Sequence, residues 1–598
     1  MTNTRQLHSF YIPVMGTSFT IDTPIRLAHK GISSVISITD DGLIESVRKF
    51  YAQKLNLPYE PILKNDEDAR ARRITAYLDM VKEVVEGNFD KLMNDSPLEG
   101  LGKYAQLLPK NASEMMSKAG NKAHDISDWL KEIKEQAIMG SIDVNIMTKL
   151  DKVNYKAGKA LSKLYNDAHA ALRGFAQSKL SSSIILSAGL NPSLMGYMQE
   201  FEDFFPATDG TFKKKVILKV SDYRSALIQG KYLAKNGIWV SEFRIESGLN
   251  CGGHAFATDG LLFGPILEEF RDKREELRLS LMELYEAALT RKEKSIPTTA
   301  PTIRITAQGG VGTAEEHEFL LDYYKLDAIG WGSPFLLVPE ATCVDQPTRN
   351  QLALAEEKDL YLSKISPLGV PFNNLRNNSK DVEKFALIES GRPGVPCTNE
   401  YLQSNTEFTE KAICTASKKY QKLKIEELSA SGLSSEALEK EVSKVTEKAC
   451  ICTGLGTPFY LEHNLTMPKA GPGISICPGP NMAYYSREFT LQEMVDHIYG
   501  RKNVITRTDR PSVFIKDLQL YLNYFQDQVQ ETLEGANTRA IKKMEAFANN
   551  LQDGLTYYQN LQTKSTDFAQ KFGDKVNQAM SEASIRIEKI KAKLLVTH

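Results

Sequence analysis

The sequence predicts an α/β protein built on a TIM (β/α)8-type barrel, with a large helical insertion, a Cys-rich irregular segment and a C-terminal helical region. Three observations support this fold class. Strand-like and helical segments alternate at both ends of residues 1–345, which indicates a parallel sheet with crossover helices. The chain length of 598 residues favours a closed barrel. Glycine-rich stretches follow three of the strands, where the ligand-binding loops of a barrel lie.

Composition excludes several classes of function. Hydrophobic residues make up 42% of the chain and charged residues 25%, as expected of a soluble globular protein. The 74 Lys and Arg residues balance 75 Asp and Glu residues, so nucleic acid is an unlikely partner, although local patches remain open. No apolar run approaches the ~20 residues that span a bilayer, so we expect no membrane insertion. The N-terminus lacks a secretory pattern, and we expect a cytoplasmic protein.

Seven segments are predicted as barrel strands. The first two contain FYIPVMG and ISSVISI, separated by a short helix with a glycine stop. The other five lie between residues 181 and 345 and contain SSSIILS, KKKVILKVS, IWVSEFRIE, TIRITAQ and LDAIGW. Runs of β-branched residues bounded by Gly, Asp and Ser are typical of buried strands. One of the eight strands of the barrel remains unassigned.

The intervening segments set the predicted domain boundaries. Residues 66–180 carry apolar residues at three- and four-residue steps and are predicted as one helical insertion. The barrel would then comprise residues 1–65 and 181–345, followed by a Cys-rich segment over 346–505 and helices over 506–598. We expect these helical regions to serve packing and assembly, which leaves a homo-oligomer open. Arg376 either lines a substrate pocket or belongs to a surface loop.

Glycines at the ends of two consecutive strands predict an anion site. TAQGGVGT places Gly309, Gly310 and Gly312 between a strand and a helix, and IGWGSPF places Gly332 and Ser333 after the next strand. Unpaired N–H groups at a helix start bind anions, and the loops after the last two barrel strands often share one phosphate. The alternative is two ordinary glycine turns.

A third motif, SGLNCGGHAF, follows another strand and contains two adjacent glycines between a cysteine and a histidine. Gly252 and Gly253 would let a planar ligand lie against the backbone. His254 is a candidate for proton transfer because the histidine pKa lies near neutrality, and the alternative is a buried histidine bonded to backbone. Cys251 is also a catalytic candidate, as a proton donor or redox thiol, although packing is the favoured role.

Taken in order, ESGLNCGGHAF, ITAQGGVGT and IGWGSPFLLVPEA resemble the signature of nitronate monooxygenase-like (2-nitropropane dioxygenase-like) flavoproteins. PVMG resembles the end of that family's first strand. The resemblance covers about residues 1–50 and 183–345, under half the chain, and its specificity lies in the order and spacing of short motifs. It implies an FMN-binding TIM barrel and an FMN-dependent oxidoreductase. Ser333 departs from the family's usual threonine but keeps the hydroxyl.

The resemblance also implies roles for individual residues. His254 matches the family's active-site histidine, which handles a proton beside flavin N5. Met15 and Gly16 would lie near the isoalloxazine ring, while the phosphate would be held at the last two strands. The full set of cofactor-binding residues is Met15, Gly16, Lys219, Gly252, Gly253, Gln308, Gly309, Gly310, Gly332 and Ser333.

Five of the seven cysteines fall within the Cys-rich segment. Clustered cysteines in a reducing compartment are more often ligands or redox groups than disulfides. Thiolates at turns with nearby Gly and Pro are typical of iron–sulfur ligation, with structural zinc and simple packing as alternatives. The spacing matches no standard ferredoxin pattern, and the resemblance to the FMN and Fe–S domain of glutamate synthase is looser. We predict Cys397, Cys414, Cys450 and Cys452 as ligands of a 4Fe-4S cluster, with Cys477 as the bystander.

The function predicted from these features is an FMN-dependent oxidoreductase whose flavin receives electrons from the Fe–S cluster. The partners would be a small-molecule substrate that no motif identifies and, as an open option, a protein electron donor. The alternative from another class is a non-catalytic scaffold or assembly protein with a zinc-stabilised Cys-rich region. The glycines at all three motifs favour the enzyme over the scaffold, because a site that had lost its function would not need to keep them.

Overall fold

A computed structural model describes the chain over residues 6–94, 98–109, 131, 134–135, 137–148, 150–187, 189–246, 248, 252–255, 257–467, 471–534 and 538–595. Its centre is a closed barrel of parallel strands, which confirms the predicted fold class. Each strand pairs with its neighbours in chain order, and the first strand pairs with both the second and the last. The barrel strands are β1 (Phe10–Ile12), β2 (Ser33–Ser37), β3 (Ile142–Ile146), β4 (Ser182–Leu186), β5 (Lys214–Val220), β6 (Val240–Glu246), β7 (Arg304–Gln308) and β8 (Ala328–Gly330).

The strand that the sequence analysis left unassigned is β3, which lies inside the predicted insertion. The prediction of residues 66–180 as one helical insertion is therefore wrong, because this segment contributes a strand between β2 and β4. The sequence of β3, IDVNI, alternates apolar and polar residues, and its polar positions face the barrel interior. Asp143 reaches Arg244 of β6 at 3.4 Å, and Asn145 lines the cavity described below.

Charged residues fill part of the barrel interior, where most barrels carry branched apolar side chains. Arg244 pairs with Glu242 at 2.7 Å and lies 4.0 Å over the ring of Tyr11. Thr306 donates a hydrogen bond to Glu242 at 2.6 Å. Burial pushes the pKa of Glu242 upward, but Arg244 and Arg304 more than offset burial and hold the pKa below its usual value. Glu242 is therefore a carboxylate that neutralises buried guanidinium groups.

The remaining regular structure surrounds the barrel and extends beyond it. Two short antiparallel hairpins pair Tyr155–Lys156 with Lys159–Ala160, and β9 (Leu360–Ser363) with β10 (Phe372–Leu375). The α-helices are Thr23–Leu27, Asp41–Leu55, Ala69–Asn94, Leu98–Leu107, Asp167–Gln177, Pro192–Tyr197, Tyr223–Lys235, Phe263–Asp272, Arg274–Arg291, Ala314–Tyr323, Gln346–Ala353, Ser379–Glu389, Lys418–Ser429, Ser435–Thr446, Ile451–Gly454, Thr457–Glu462, Leu491–Ile498, Val513–Glu534, Thr538–Lys564 and Thr566–Leu595. Short 3-10 helices span Ala28–Lys30, Lys163–Tyr165, Met198–Glu200, Glu202–Phe204, Ser333–Leu337, Glu357–Asp359 and Pro480–Tyr484.

The segment after β8, residues 345–510, lies across the C-terminal mouth of the barrel. Backbone hydrogen bonds tie it to three different loops. Asn373 N donates to Gly253 O at 2.8 Å after β6, and Ser18 N donates to Leu455 O at 3.1 Å after β1. Gly479 N donates to Ser333 Oγ at 2.6 Å after β8. This segment, which we call the cap, therefore closes over the end of the barrel where barrel enzymes place their active sites.

The three C-terminal helices pack beside the barrel. Asp517 accepts a hydrogen bond from Phe263 N at 2.9 Å, and Tyr558 OH accepts one from Gly264 N at 3.0 Å, both at the start of the helix after β6. These contacts cap unpaired N–H groups at a helix start. None of the helices within the described ranges is long and apolar enough to cross a membrane.

We expect Glu242→Ala to lower the free energy of unfolding by about 3–5 kcal/mol, because it leaves Arg244 buried with only Asp143 as its acidic partner. Glu275→Ala is the matched control, since it breaks an exposed pair with Arg278 and should cost at most about 1 kcal/mol. Urea unfolding of both variants measures the difference. Equal losses would contradict the structural role of the buried pair.

Candidate active site

A cavity of about 280 Å³ opens at the C-terminal mouth of the barrel, beneath the cap. Ligand pockets are typically of about this size or larger. The inner ends of the barrel strands form its floor, the loops after the strands form its rim, and the cap covers it. The residues predicted from the sequence that line it are Met15, Gly16, Lys219, Gly252, Gly253, His254, Gln308, Gly309, Gly310, Gly332 and Ser333.

The cavity floor carries a chain of polar contacts from neighbouring strands. Lys219 pairs with Glu246 at 2.5 Å, and Gln308 Nε2 donates to Glu246 Oε1 at 2.7 Å. Tyr11 OH donates to Gln308 Oε1 at 3.3 Å. Lys219 and Gln308 were predicted, whereas Glu246 and Tyr11 were missed. The period of two along a strand could have found Glu246, because it follows Glu242 and Arg244 on the inward face of β6.

The loop after β7, which the sequence predicts as an anion site, contains two consecutive glycines in left-handed conformations. Gly309 and Gly310 have φ angles of 101° and 78°, which L side chains rarely adopt. The carbonyl oxygen of Gly310 accepts from the Asn481 amide and, at 3.0 Å, from Arg510 Nη2. The carbonyl of Gly312 accepts from His497 Nε2 at 2.9 Å. The carbonyl of the Gly310–Val311 peptide points toward Asn481 and Arg510 of the cap. The N–H of the same peptide therefore points in the opposite direction.

A buried ion pair holds this loop in place. Arg510 Nη1 lies 2.7 Å from Glu316 Oε1, and Glu316 Oε2 accepts from Gly312 N at 2.9 Å. Burial alone would lower the pKa of Arg510, but Glu316 beside it raises the pKa above its usual value. Both residues were missed because they lie 194 positions apart and neither belongs to a motif.

The loops after β1 and β8 form the adjacent wall. Gly16 has a φ of 53°, and a Cβ on it would lie 2.7 Å from the ring of Phe19. Ser333 begins a 3-10 helix, and its Oγ accepts from Gly479 N. Thr17 Oγ1 is buried and has no hydrogen-bond partner within the described ranges. Thr17 lines the cavity with other atoms, because this oxygen has almost no accessible surface.

The loop after β6 forms the opposite wall. Gly253 has a φ of 77°, and nothing lies within 4 Å of the position that a Cβ would take. His254 Nε2 and Ser366 Oγ are 2.7 Å apart, and the His254 ring contacts Phe372 edge-on at 5.0 Å. The cap therefore fixes the orientation of His254. Cys251, the second catalytic candidate, lies outside the described residues.

Cys477 belongs to the cavity, a position that the sequence analysis did not predict. The backbone N–H groups of Gly253 and Gly16 lie close enough to its sulfur to favour the thiolate. Burial raises the Cys477 pKa to about 12 despite these donors, so the group is a neutral thiol at neutral pH. The position of Cys477 in the sequence does not indicate that it lines the cavity, because the contact forms only where the cap meets the ends of β1 and β6.

The four predicted ligand cysteines gather beside the cavity. The Cys414 thiol beside Cys397 lowers the Cys397 pKa to about 7 despite burial. Burial, followed by the proximity of Cys450 and Cys397, raises the Cys452 pKa well above its usual value. Nearby backbone N–H groups of Glu400, Ala416 and Leu402 favour the thiolate forms of Cys397, Cys414 and Cys452, respectively. Cys452 also lines the cavity.

The arrangement of these cysteines does not by itself form a metal site. Within the part of the chain that the structure describes, no three His, Cys, Asp or Glu side chains form a group that could hold a metal ion. A structural zinc would need four ligands arranged tetrahedrally around one point.

Arg376 does not line the cavity. Its side chain is exposed, its Nε donates to Lys358 O at 2.9 Å, and its guanidinium lies 4.2 Å from the ring centre of Tyr361. The expectation that it lines a substrate pocket is therefore wrong, and the surface-loop alternative describes it.

No protein-family model matches the chain, and no curated protein matches it. Among solved structures, it is similar to FabK from Thermotoga maritima, with 13% identity over 68% of this chain and 85% of that chain and a TM-score of 0.31. The enoyl reductase domain of MlnA from the macrolactin biosynthesis cluster of Bacillus amyloliquefaciens matches at 14% identity over 64% and 86%, with a TM-score of 0.33. Nitroalkane oxidase from Streptomyces ansochromogenes matches at 10% identity over 82% and 94%, with a TM-score of 0.34. Matches at this level carry no conclusion about activity, so we take the function from the site itself.

Proposed function

We propose that the protein is an FMN-dependent oxidoreductase acting on a small molecule. The observation that carries this proposal is the cavity at the C-terminal mouth, ringed by left-handed glycines at the ends of β1, β6 and β7. Glycines in these conformations give a planar ring and a phosphate close access to backbone. The order of motifs resembling nitronate monooxygenase-like flavoproteins supports the same proposal.

The residues present fit FMN. The N–H of Val311 and the hydroxyl of Ser333 would hold the phosphate, next to the start of the helix Ala314–Tyr323. The open space beside Gly253 would accommodate the ring. Lys219 and Glu246 form a charged pair at the cavity floor, within the same polar chain as Gln308.

When bound, FMN supplies two-electron redox chemistry, and the protein supplies orientation and proton handling. His254 is the proposed proton-handling residue, because its imidazole lines the cavity and Ser366 fixes one of its nitrogens. A positioned histidine holds or releases a proton at neutral pH because its ordinary pKa lies near 6.5. The cap keeps water away from this proton by covering the mouth.

Filling the cavity should abolish FMN binding. Gly253→Leu places a side chain in the space beside His254, and we expect the FMN dissociation constant to rise by at least ~100-fold, about 2.7 kcal/mol. Gly158→Leu is the matched control, because Gly158 has a φ of 78° and an equally open Cβ position in a remote hairpin. Quenching of FMN fluorescence measures both. The proposal fails if the wild type does not bind FMN or if both variants bind it equally.

His254→Ala should leave FMN binding within about threefold of the wild type, since the phosphate site is on the opposite wall, and should slow turnover roughly 10²–10⁴-fold. The rate is measured anaerobically, as reduction of the oxidised flavin by a panel of nitronates and as reoxidation of the reduced flavin by a panel of enoyl thioesters, and the fastest wild-type reaction is used for the comparison. An unchanged rate, or loss of FMN, would remove His254 from the mechanism.

We also propose that Cys397, Cys414, Cys450 and Cys452 ligate an iron–sulfur cluster. A cubane places each thiolate on a different iron, so its ligands need not converge on one point as zinc ligands do. Backbone N–H groups near three of these sulfurs support the proposal, because N–H groups that favour thiolates accompany cluster ligation. Cys452 would connect the cluster to the cavity, and a protein that donates single electrons would be its partner.

Anaerobic purification followed by iron and acid-labile sulfide analysis tests the cluster. We expect about four irons and four sulfides per chain, as in a cubane. Cys414→Ser should lose them and Cys343→Ser should keep them, because Cys343 is buried against His463 rather than in this cluster. Zinc without sulfide, or no metal in the wild type, would contradict the proposal.

A further inference from the structure

We propose that the Cys477–Asn481 turn of the cap is a third wall of the flavin site, with Cys477 at the edge of the ring and Asn481 positioning the phosphate-binding loop. The inference rests on the proposed FMN site and adds residues that lie outside the barrel. The turn therefore links the cap to cofactor affinity.

The turn contacts the ends of three barrel strands. A Cβ on Gly252, after β6, would lie 2.6 Å from the Cys477 carbonyl oxygen. Gly479 N donates to Ser333 Oγ after β8, and the Asn481 amide donates to the carbonyls of Gly310 and Val311 after β7. The turn thus spans the cavity wall from the predicted ring side to the predicted phosphate side.

The sequence of the turn, CPGPN, keeps its backbone in one shape. Pro478 and Pro480 each fix their own φ near −65°, and Gly479 has a similar φ of −71°. The residues from Cys477 to Asn481 are buried, and four of them line the cavity. A preformed wall loses little entropy when a ligand binds.

On the phosphate side, Asn481 is a positioning residue. Its amide nitrogen engages two consecutive carbonyls of the glycine loop, and its Oδ1 accepts from Arg510 Nη2 at 3.0 Å. Because C=O and N–H of one peptide point in opposite directions, holding the Gly310 carbonyl against Asn481 and Arg510 turns the Val311 N–H away from these two side chains. Gly479 N also occupies one lone pair of Ser333 Oγ, which leaves the hydroxyl proton to be donated to an anion.

On the ring side, Cys477 lines the cavity together with Gly16 and Gly253, and the N–H groups of both glycines are near its sulfur. These are the glycines that leave room for the ring. A thiol here contacts the ring edge, and its high pKa keeps it neutral, so it adds no negative charge beside the flavin.

Riboflavin lacks the phosphate of FMN. Comparing the binding of the two flavins therefore separates the role of the phosphate side of the turn from the role of its ring side. Asn481→Ala and the isosteric Asn481→Asp should raise the FMN dissociation constant roughly 10–100-fold, the range expected for charge-assisted hydrogen bonds, and leave riboflavin within about threefold. Cys477→Phe should weaken both flavins by at least ~30-fold, while Cys477→Ser should bind both within about threefold of wild type. Asn350→Ala, on an exposed helix, is the amide control.

Thermal unfolding of each flavin-free variant confirms that it is folded before titration, and Asn481→Asp serves where Asn481→Ala does not fold. If the wild type binds neither flavin, the proposed function itself fails. If the wild type binds FMN and the variants bind both flavins like the wild type, only the role of the turn is overturned. Equal weakening of FMN and riboflavin by the Asn481 variants would also overturn it, because the phosphate would then be uninvolved.

Discussion

Gly309 and Gly310, in the glycine loop after β7, have no side chains that could fix the shape of the loop. This shape therefore depends on hydrogen bonds that residues of the cap donate. Arg510, Asn481 and His497 donate to its carbonyls, and Glu316 accepts from one of its N–H groups. Flexible backbone held by external donors can present N–H groups to an anion without a side chain in the way. Barrel and cap therefore form one site, although they are far apart in the sequence.

The same dependence explains how polar groups come to face each other across a cavity that the cap covers. Its floor continues the charged layers of the barrel interior, from Glu242 and Arg244 up to Glu246 and Lys219. Such groups are stable away from water only when they are paired, and each of these is. The cap supplies the opposite surface with Ser366 beside His254 and with Cys477 near two glycines. An enclosed site with fixed polar groups suits redox chemistry that must exclude water.

Sequence patterns predicted the parts of this site that are local. Seven strands, the three glycine motifs and the C-terminal helices each depend on neighbouring residues, and the barrel is as predicted. The strand β3 was missed because Asp143 and Asn145 face a polar interior, so the segment lacks the apolar run of the other strands. Glu246, Arg510 and Cys477 were missed because their roles come from contacts across the fold. The role of Arg376 was left open for the same reason, and its contact with Tyr361 places it on the surface.

The central claim is that the cavity beneath the cap binds FMN with its phosphate between the loops after β7 and β8. A crystal structure of the protein grown with FMN tests this directly. We predict one FMN per chain, with a phosphate oxygen within hydrogen-bonding distance of Ser333 Oγ and of the Val311 N–H, and with the ring between Gly16 and Gly253. Electron density for FMN elsewhere on the protein, or none in this cavity at saturating FMN, would contradict the claim.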